Sequence, residues 1–258
     1  MGQFVITELV EGVLRVEIRR PEKKNAFNAT IYRELCEALV RCDQDPAVRV
    51  LLLHGQPGIF SAGHEVQGFS GSQSELEAAD NPVMAFMRGV STAEKPIVAA
   101  VDGYAIGVGA TLLLHCDLVF ASPNARFQFP FVNLGLCPEL GSSLILPRLA
   151  GHQRASELLL LGEPFPAEIA RELGLVNSIV ESNALLDLAM TRARTLARQP
   201  AASVRLTKSM LKKHDAERVA STIEQEVANF IERTRSAEAA EAVTAFLEKR
   251  KPDFSSFS

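Results

Sequence analysis

The chain has few of the residues that build metal sites and disulfide frameworks. Its 258 residues include only four cysteines, which are Cys36, Cys42, Cys116 and Cys137. No pair of them has the CxxC spacing and no histidine cluster lies beside them, so no zinc or other metal site is expected. Cysteines scattered in this way are typical of a reducing compartment.

Long apolar runs and targeting signals are also missing from the sequence. No apolar stretch reaches the ~18 residues that a membrane span needs. The first residues, MGQFVITELVEG, alternate in polarity and carry acids, unlike a signal or transit peptide. We therefore expect a cytoplasmic protein without a membrane partner.

Positive charge is not in excess. The 27 lysines and arginines are outnumbered by 31 acidic residues, which gives a net charge of -4. This balance gives no electrostatic reason to expect nucleic acid as a partner. A content of 47% hydrophobic and 22% charged residues is ordinary for a globular chain. The length suits one large domain, or one domain with an appendage.

Two kinds of apolar pattern predict strands. FVITELVEG and VLRVEIRRP alternate apolar and polar residues, as half-buried strands do. VRVLLLHG and KPIVAAVDG are continuous apolar runs, typical of strands buried on both faces. Further short strands are predicted at DLVFAS, ARFQFP and GLVNSIVE.

Helices are predicted between these strands and dominate from about Gly151 onward. NATIYRELCEALVRCDQDP has apolar residues at helical spacing, and Asn28 or Thr30 is the expected N-cap. The other predicted helices are GVGATLLLHC, HQRASELLLLG, PAEIARELG and ALLDLAMTRARTLARQ. Strands that alternate with helices indicate an α/β protein. We divide it into a core, residues 1–199, and a C-terminal helical region, residues 200–258.

Two glycine-containing loops follow presumed buried strands. They are FSAGHEV and GYAIGVGATLLL. Glycine allows close backbone approach, and a helix N-terminus exposes unpaired N–H groups. Two such donors aimed at one point would form an oxyanion hole. GVG before an apolar helix also fits tight helix packing, and neither loop has a nucleotide-binding signature.

The two loops, in this order, resemble those of the crotonase, or enoyl-CoA hydratase/isomerase, superfamily. RPEKKNAFN is similar to its first segment that contacts coenzyme A, and similarity extends over almost the whole chain. The other matching stretches are KPIVAAVDGYAIGVGATLLLHCDLVFAS, ELLLLGEPFPAEIARELGLVNSIV and AFLEKRKPDF. The resemblance implies a crotonase-like spiral of ββα units, two near-perpendicular sheets and a C-terminal helical region that serves trimerisation. It also implies a homotrimer or a dimer of trimers.

The resemblance implies an acyl-CoA thioester as ligand, with coenzyme A entering as part of the substrate and no separate cofactor. The backbone N–H groups of His64 and Val108 would hold the thioester oxygen. Residues implied in binding are Lys24, Ala26, Ala62, Gly63, Glu65, Gly107 and Leu136. Lys249 or Arg250 would approach the nucleotide of the same or a neighbouring subunit, although surface lysines and arginines are commonly just solvated.

The position of the acidic residues points to one reaction. Hydratases of the superfamily use two glutamates, and the matching positions here hold Thr111 and Phe131. Glu139, in CPELGSS, matches the single base of 3,2-trans-enoyl-CoA isomerases of the peroxisomal type. The implied reaction moves a double bond from C3 to C2 through a dienolate. Apolar surroundings would raise the pKa of this carboxyl. A glutamate after Pro138 is, however, also a good helix start.

Other interpretations stay open at this point. One is a hydratase with an unusual acid, or other thioester chemistry such as ring isomerisation. Another is a non-catalytic acyl-CoA-binding trimer, which Thr111 and Phe131 favour and Glu139 opposes. The stretch Gly68–Pro82 could cover a site. Phe86 and Met87 are expected either to line the acyl pocket or to pack in the core. His54 and His115 are expected to be structural histidines, and Ser142 and Ser143 are expected to cap a helix.

Overall fold

The computed structural model describes residues 2–65 and 81–257. Its strands are β1 (Val5–Val10), β2 (Val13–Ile18), β3 (Val50–His54), β4 (Ile59–Ser61), β5 (Ile97–Val101), β6 (Tyr104–Ile106), β7 (Leu118–Ala121), β8 (Arg126–Gln128), β9 (Phe165–Pro166) and β10 (Ser178–Ile179). Its helices are α1 (Ala29–Gln44), α2 (Pro82–Thr92), α3 (Val108–Thr111), α4 (Ser142–Ala150), α5 (His152–Ser156), α6 (Ala167–Glu172), α7 (Ser182–Arg198), α8 (Ala201–Lys213), α9 (Ala216–Thr234) and α10 (Ala237–Leu247). Most of the predicted Gly68–Pro82 loop lies outside the described residues.

The strands form two sheets. The larger has the order β1-β2-β3-β5-β7-β10 and the smaller has the order β4-β6-β8-β9. Pairing is parallel except between β1 and β2 and between β8 and β9. From β3 to β8 the chain gives one strand to the larger sheet and the next to the smaller, and helices α2, α3 and α4 follow these pairs. The predicted α/β class and spiral of ββα units are confirmed.

Burial on both faces explains why β3 is a continuous apolar run. Leu51 and Leu53 belong to the main core. Val50 and Leu52, which point to the opposite face, pack in a second cluster with α7 residues such as Ala189. A strand between two apolar layers has no face left for polar residues.

Several local predictions are confirmed, and one needs correction. Asn28 is the N-cap of α1, and its side chain accepts a hydrogen bond from the Ile31 N–H. The region after residue 200 is helical. GLVNSIVE, predicted as a strand, forms one only at Ser178–Ile179, because β10 pairs with β7 over just two residues at the sheet edge.

The C-terminal helices are packed on the rest of the chain. Ile223 of α9 and Ala239 of α10 belong to the main core. On α8, Lys208 is buried and its ammonium contacts Asp117 at 2.7 Å. The boundary between residues 199 and 200 stays a prediction. Among the helices described, none is long and apolar enough to cross a membrane.

We predict that Leu52→Ala lowers the free energy of unfolding by about 2–5 kcal/mol, since Leu52 is fully buried and its truncation leaves a cavity. Val40→Ala is the control, because Val40 is 52% exposed on α1. Its effect should stay within about 0.5 kcal/mol. Urea unfolding followed by circular dichroism measures the free energy of unfolding of both variants. Equal losses in Leu52→Ala and Val40→Ala would contradict the burial of Leu52 between β3 and α7.

Candidate active site

A cavity of about 590 Å³ lies where three parallel strands of the smaller sheet end. Residues directly after β4, β6 and β8 contribute to its wall, as do residues of α2, α9 and α10. Eight of the predicted site residues line it, namely Lys24, Ala62, Gly63, His64, Gly107, Val108, Leu136 and Glu139. The remaining wall is mostly apolar.

Two predicted binding residues are not among those that line the cavity. Ala26 is 9% exposed, and its carbonyl oxygen accepts a hydrogen bond from the Arg20 guanidinium at 3.0 Å. Glu65 forms ion pairs with Arg20 at 3.0 Å and Lys23 at 3.6 Å. The hydrogen bond from Arg20 is the main reason why the pKa of Glu65 is lowered. Both residues therefore join neighbouring segments of the chain through Arg20.

The two glycine loops lie side by side. Gly63 has φ +87°, and a Cβ atom added there would lie 2.6 Å from the Ile106 carbonyl oxygen. Gly107 has φ +54°. A side chain at Gly63 would thus both strain the backbone and push the loops apart. Close approach of the two loops therefore explains the glycine at position 63, whereas at Gly107 the positive φ favours glycine and no atom lies within 4 Å of an added Cβ.

Backbone geometry sets the direction of the His64 and Val108 amides. The Phe27 N–H donates to Gly63 O at 2.7 Å, and the Glu65 N–H donates to Phe27 O at 2.9 Å. Successive amides of an extended chain point to opposite sides, so the His64 N–H points away from Phe27. Val108 is the first residue of α3, where the N–H has no acceptor within the helix. Their role as an oxyanion hole stays a prediction.

Asn25 holds the first loop in place, and the sequence analysis missed it. Its buried side chain donates to carbonyl oxygens of Ile18 in β2 and Phe60 in β4, both at 3.1 Å. The backbone carbonyl of Asn25 accepts a hydrogen bond from the Ser61 hydroxyl, and the Ser61 hydroxyl in turn accepts one from the Gly63 N–H. A left-handed φ of +53°, which asparagine tolerates, brings these groups together. Its place in KKNAFN gave no local sign of this network.

Glu139 is a buried carboxyl in the cavity wall. It is 5% exposed, and the Thr111 hydroxyl donates to its Oε1 atom in a short hydrogen bond. Burial raises the pKa of Glu139 to about 8, against the opposing effect of the Thr111 hydrogen bond, and the negative charge of Glu226 raises it further. Near neutral pH this group can therefore both take up and release a proton.

The backbone around Glu139 differs from the predicted helix start. Helix α4 begins at Ser142, so Glu139 lies in the preceding loop. Leu140 has φ +56°, and the buried His115 donates from Nε2 to its carbonyl oxygen at 2.9 Å. Burial lowers the pKa of His115 to about 4, so it is a neutral structural histidine. The helix-start interpretation of Pro138 and Glu139 is wrong, since a turn separates them from α4.

The predicted capping role of Ser142 and Ser143 is also wrong. The Ser142 hydroxyl donates to the Glu139 carbonyl at 2.7 Å, and the Ser143 hydroxyl donates to the Glu226 carboxylate. Glu226, from α9, accepts hydrogen bonds from the Gly141 and Ser143 N–H groups and so supplies the cap itself. A capping group 83 residues away in the chain leaves no local sequence signal.

Tyr32 is a polar residue of the wall that was not predicted. Its hydroxyl lies 3.1 Å from Nδ1 of His64. Burial lowers the pKa of His64 to about 4, so the imidazole is neutral at pH 7. Burial also raises the pKa of Tyr32, with a further contribution from the charge of Glu139. Both groups are thus uncharged at pH 7 and lie within hydrogen-bonding distance of each other.

The remaining wall is mostly aromatic and aliphatic, and it also includes the polar side chains of Asn81, Gln128, Asn133 and Thr234. Phe131 lines it, as do Met87 and the α9 and α10 residues of the same chain, which are Val227, Phe230, Ile231, Thr234 and Phe246. Phe86 is core instead and packs edge-on against Phe27 and Tyr32. Lys24 is the basic residue of the described wall, and its ammonium lies 5.8 Å from the Tyr104 ring centre.

The C-terminal cations are placed elsewhere. Neither Lys249 nor Arg250 is among the wall residues of this chain, and Arg250 forms ion pairs with Glu241 and Glu248. Within residues 2–65 and 81–257, no three histidine, cysteine or acidic side chains are grouped as a metal site requires. The site described here is an apolar cavity with one carboxyl group.

A family model described as enoyl-CoA hydratase/isomerase matches residues 8–256. The chain belongs to this family. It is 35% identical over 262 residues to 1,2-epoxyphenylacetyl-CoA isomerase of Escherichia coli (strain K12), with 98% of this chain and 99% of that protein covered. It is 31% identical over 245 residues to enoyl-CoA delta isomerase 2 of Rattus norvegicus, with 93% and 62% covered.

A solved structure has the same fold. The enoyl-CoA hydratase/isomerase from Pseudoalteromonas atlantica T6c superposes with a TM-score of 0.93 at 38% identity, with 98% of this chain and 100% of that chain covered. These matches confirm the predicted superfamily, its fold and its action on acyl-CoA thioesters. The family description names both hydration and isomerisation, so these matches do not distinguish between the two reactions.

We predict that Glu139→Gln changes how stability depends on pH. The pKa of Glu139 is about 8 in the folded protein, whereas the ordinary value of 4.5 applies in the unfolded chain. Between these pH values the folded protein keeps a proton that the unfolded chain loses. Wild-type stability therefore falls as pH rises from about 4.5 to about 8. Glutamine has no such proton, so the variant should gain stability relative to wild type over this range.

Urea unfolding at several pH values between these limits measures the difference. Glu163→Gln, which removes an exposed carboxyl, is the control and should follow the wild type. A pH-independent difference between Glu139→Gln and wild type would show that Glu139 titrates normally.

Proposed function

We propose that this enzyme moves the double bond of 3-enoyl-CoA thioesters from C3 to C2, with Glu139 as the single proton carrier. The observation that carries the proposal is that Glu139 is the sole carboxyl in the described cavity wall, and its pKa of about 8 suits reversible proton transfer. Coenzyme A enters as part of the substrate, and no further cofactor takes part.

The steps balance in protons and electrons. The Glu139 carboxylate takes a proton from C2, and the C–H electron pair becomes part of a dienolate that spans C2, C3, C4 and the thioester carbonyl. Negative charge on that oxygen is stabilised by the N–H groups of His64 and Val108. Glu139 then returns the proton to C4, which leaves the double bond between C2 and C3 and regenerates the carboxylate.

Thr111 and Phe131 support isomerisation over hydration. Thr111 holds one oxygen of Glu139 by a hydrogen bond and leaves the other for the substrate. A hydroxyl and a phenyl ring cannot act as the two carboxylates that position and activate water in hydratases of the superfamily. Phe131 is 4% exposed and places an aromatic ring in the wall. Other polar side chains of the wall, such as Gln128 and Asn133, are neutral amides that cannot act as a general base on water.

The assembly also belongs to the proposal. Leu206, Met210 and Leu211 of α8 are 62%, 62% and 80% exposed. Three large apolar side chains on one helix favour a contact between copies of the chain, in line with the expected homotrimer or dimer of trimers. The cytoplasmic location stays a prediction from the sequence.

We predict that Glu139→Gln lowers kcat for a 3-enoyl-CoA by at least about 10²-fold, because glutamine cannot accept the C2 proton. Glu163→Gln should keep wild-type rates. Formation of the conjugated thioester, followed by its ultraviolet absorbance, measures the reaction. Each protein is tested in parallel with a 2-enoyl-CoA, whose hydration removes the same absorbance.

The outcomes separate the competing functions. Conjugation of the 3-enoyl substrate that is lost in Glu139→Gln supports the isomerase. Hydration of the 2-enoyl substrate that survives Glu139→Gln would overturn it in favour of a hydratase with another acid. Tight acyl-CoA binding without turnover of either substrate would instead indicate a binding protein or other thioester chemistry.

We predict that Gly63→Ala lowers kcat by about 10²- to 10³-fold, the range for loss of one oxyanion-hole donor. The added Cβ would lie 2.6 Å from Ile106 O and would displace the neighbouring His64 amide. Gly58→Ala is a matched control, since Gly58 has a similar φ of +78° but no atom within 4 Å of the added Cβ. The same loss in both variants would show that backbone strain alone is responsible.

A further inference from the structure

We propose that Glu226 is a positioning residue, whose carboxylate holds the segment carrying Glu139 and joins it to α9, a helix of the cavity wall. The inference deepens the proposed function and rests on it. Glu226 does not line the cavity and acts on the reaction only through Glu139.

The hydrogen bonds of Glu226 identify it as a buried, charged acceptor. Its carboxylate accepts from the Gly141 N–H at 2.6 Å, the Ser143 N–H at 2.9 Å and the Ser143 hydroxyl at 2.6 Å. The side chain is 6% exposed. A buried carboxylate is stable only with such donors, and here it also faces the positive N-terminal end of the nine-residue helix α4.

This contact lies two residues from Glu139. Gly141 follows Leu140, whose carbonyl is held by His115, and the Ser142 hydroxyl is bonded to Glu139 O. The loop that carries the reactive carboxyl is therefore held by three side chains. Glu226 differs from the other two because it carries charge and belongs to α9, a helix that lines the cavity.

Helix α9 connects this contact to the bound substrate. Val227 follows Glu226 directly, and Phe230 lies one helical turn further on; both line the cavity. An acyl group against these side chains would rest on the same rigid element that holds the Glu139 segment. Glu226 thus links the apolar wall to the proton carrier.

Glu226 also acts on Glu139 electrostatically, since its negative charge raises the pKa of Glu139. The titratable groups around Glu139 are Tyr32 from α1, His64 from the first glycine loop, His115 before β7, Cys137 from its own loop and Glu226 from α9. Burial keeps the first four uncharged at neutral pH, because it raises the pKa of Tyr32 and Cys137 and lowers that of the two histidines. Only Glu226 of this set then acts on Glu139 as a charge.

The test compares Glu226→Gln with Glu224→Gln, an exposed carboxyl on the same helix. Glutamine has no charge and a single acceptor oxygen, so it can keep the hydrogen bonds from Ser143 or the one from the Gly141 N–H, but not both. We expect the acid limb of kcat/KM for a 3-enoyl-CoA to move to lower pH in Glu226→Gln, with kcat about tenfold lower and KM little changed. Glu224→Gln should match the wild type in all three quantities.

Glu226→Ala removes the hydrogen bonds as well and should lower kcat further, by about 100-fold. Circular dichroism and thermal unfolding show whether it is folded. If Glu226→Ala does not fold, the comparison of Glu226→Gln with the wild type is the deciding test. A folded Glu226→Gln protein with the pH profile and kcat of the wild type would overturn the role of Glu226.

A second readout does not depend on turnover. Infrared difference spectra recorded against pH follow the protonated Glu139 carboxyl, which is identified by its loss in Glu139→Gln. We expect its midpoint to fall in Glu226→Gln, and an unchanged midpoint would overturn the proposal even if the wild type isomerises 3-enoyl-CoA. If the midpoint falls in Glu226→Gln but the wild type does not isomerise 3-enoyl-CoA, the Glu226–Glu139 coupling is retained and the proposed reaction is rejected.

Discussion

Burial of a single carboxyl group is the constraint on which the rest of the site depends. Glu139 lies in an apolar wall, accepts a hydrogen bond from Thr111, and has its pKa raised to about 8 by burial. Ionising it there costs free energy that an exposed glutamate would not lose. The same cost brings its proton affinity close to neutrality, where one group can both accept and return a proton. Stability is therefore lower at the position that the proposed chemistry uses.

The path of the chain explains why distant segments meet at this carboxyl. Strands β4, β6 and β8 run parallel in the smaller sheet, so the segments that follow them leave at the same edge. The first two bring Gly63 and Gly107 together with the amides beside them, and the third leads to Phe131 and Glu139. Each strand is only three residues long, so the larger sheet and its two apolar layers hold the arrangement in place.

Local patterns predicted most of the fold but only part of the site. The continuous run of β3 and the helical spacing of α1 are local signals, and both were read correctly. Tyr32 has the spacing of an ordinary core residue of α1, so its contact with His64 had no separate signal. Asn25 and Glu226 act through hydrogen bonds to residues far along the chain. The capping role expected of Ser142 and Ser143 is wrong because their hydroxyls donate to the Glu139 carbonyl and the Glu226 carboxylate and do not accept from N–H groups of α4.

The wall around Glu139 links the fold to a choice among reactions. In the proposed function the two glycine loops stabilise an enolate oxygen whichever product forms, so they do not select the reaction. Selection depends on where the removed proton can go. Thr111 donates to Glu139 but cannot accept its proton as a carboxylate would, and Phe131 offers no acceptor at all. In a wall whose described part holds one carboxyl, return of the proton to the same thioester is the path that the surroundings favour.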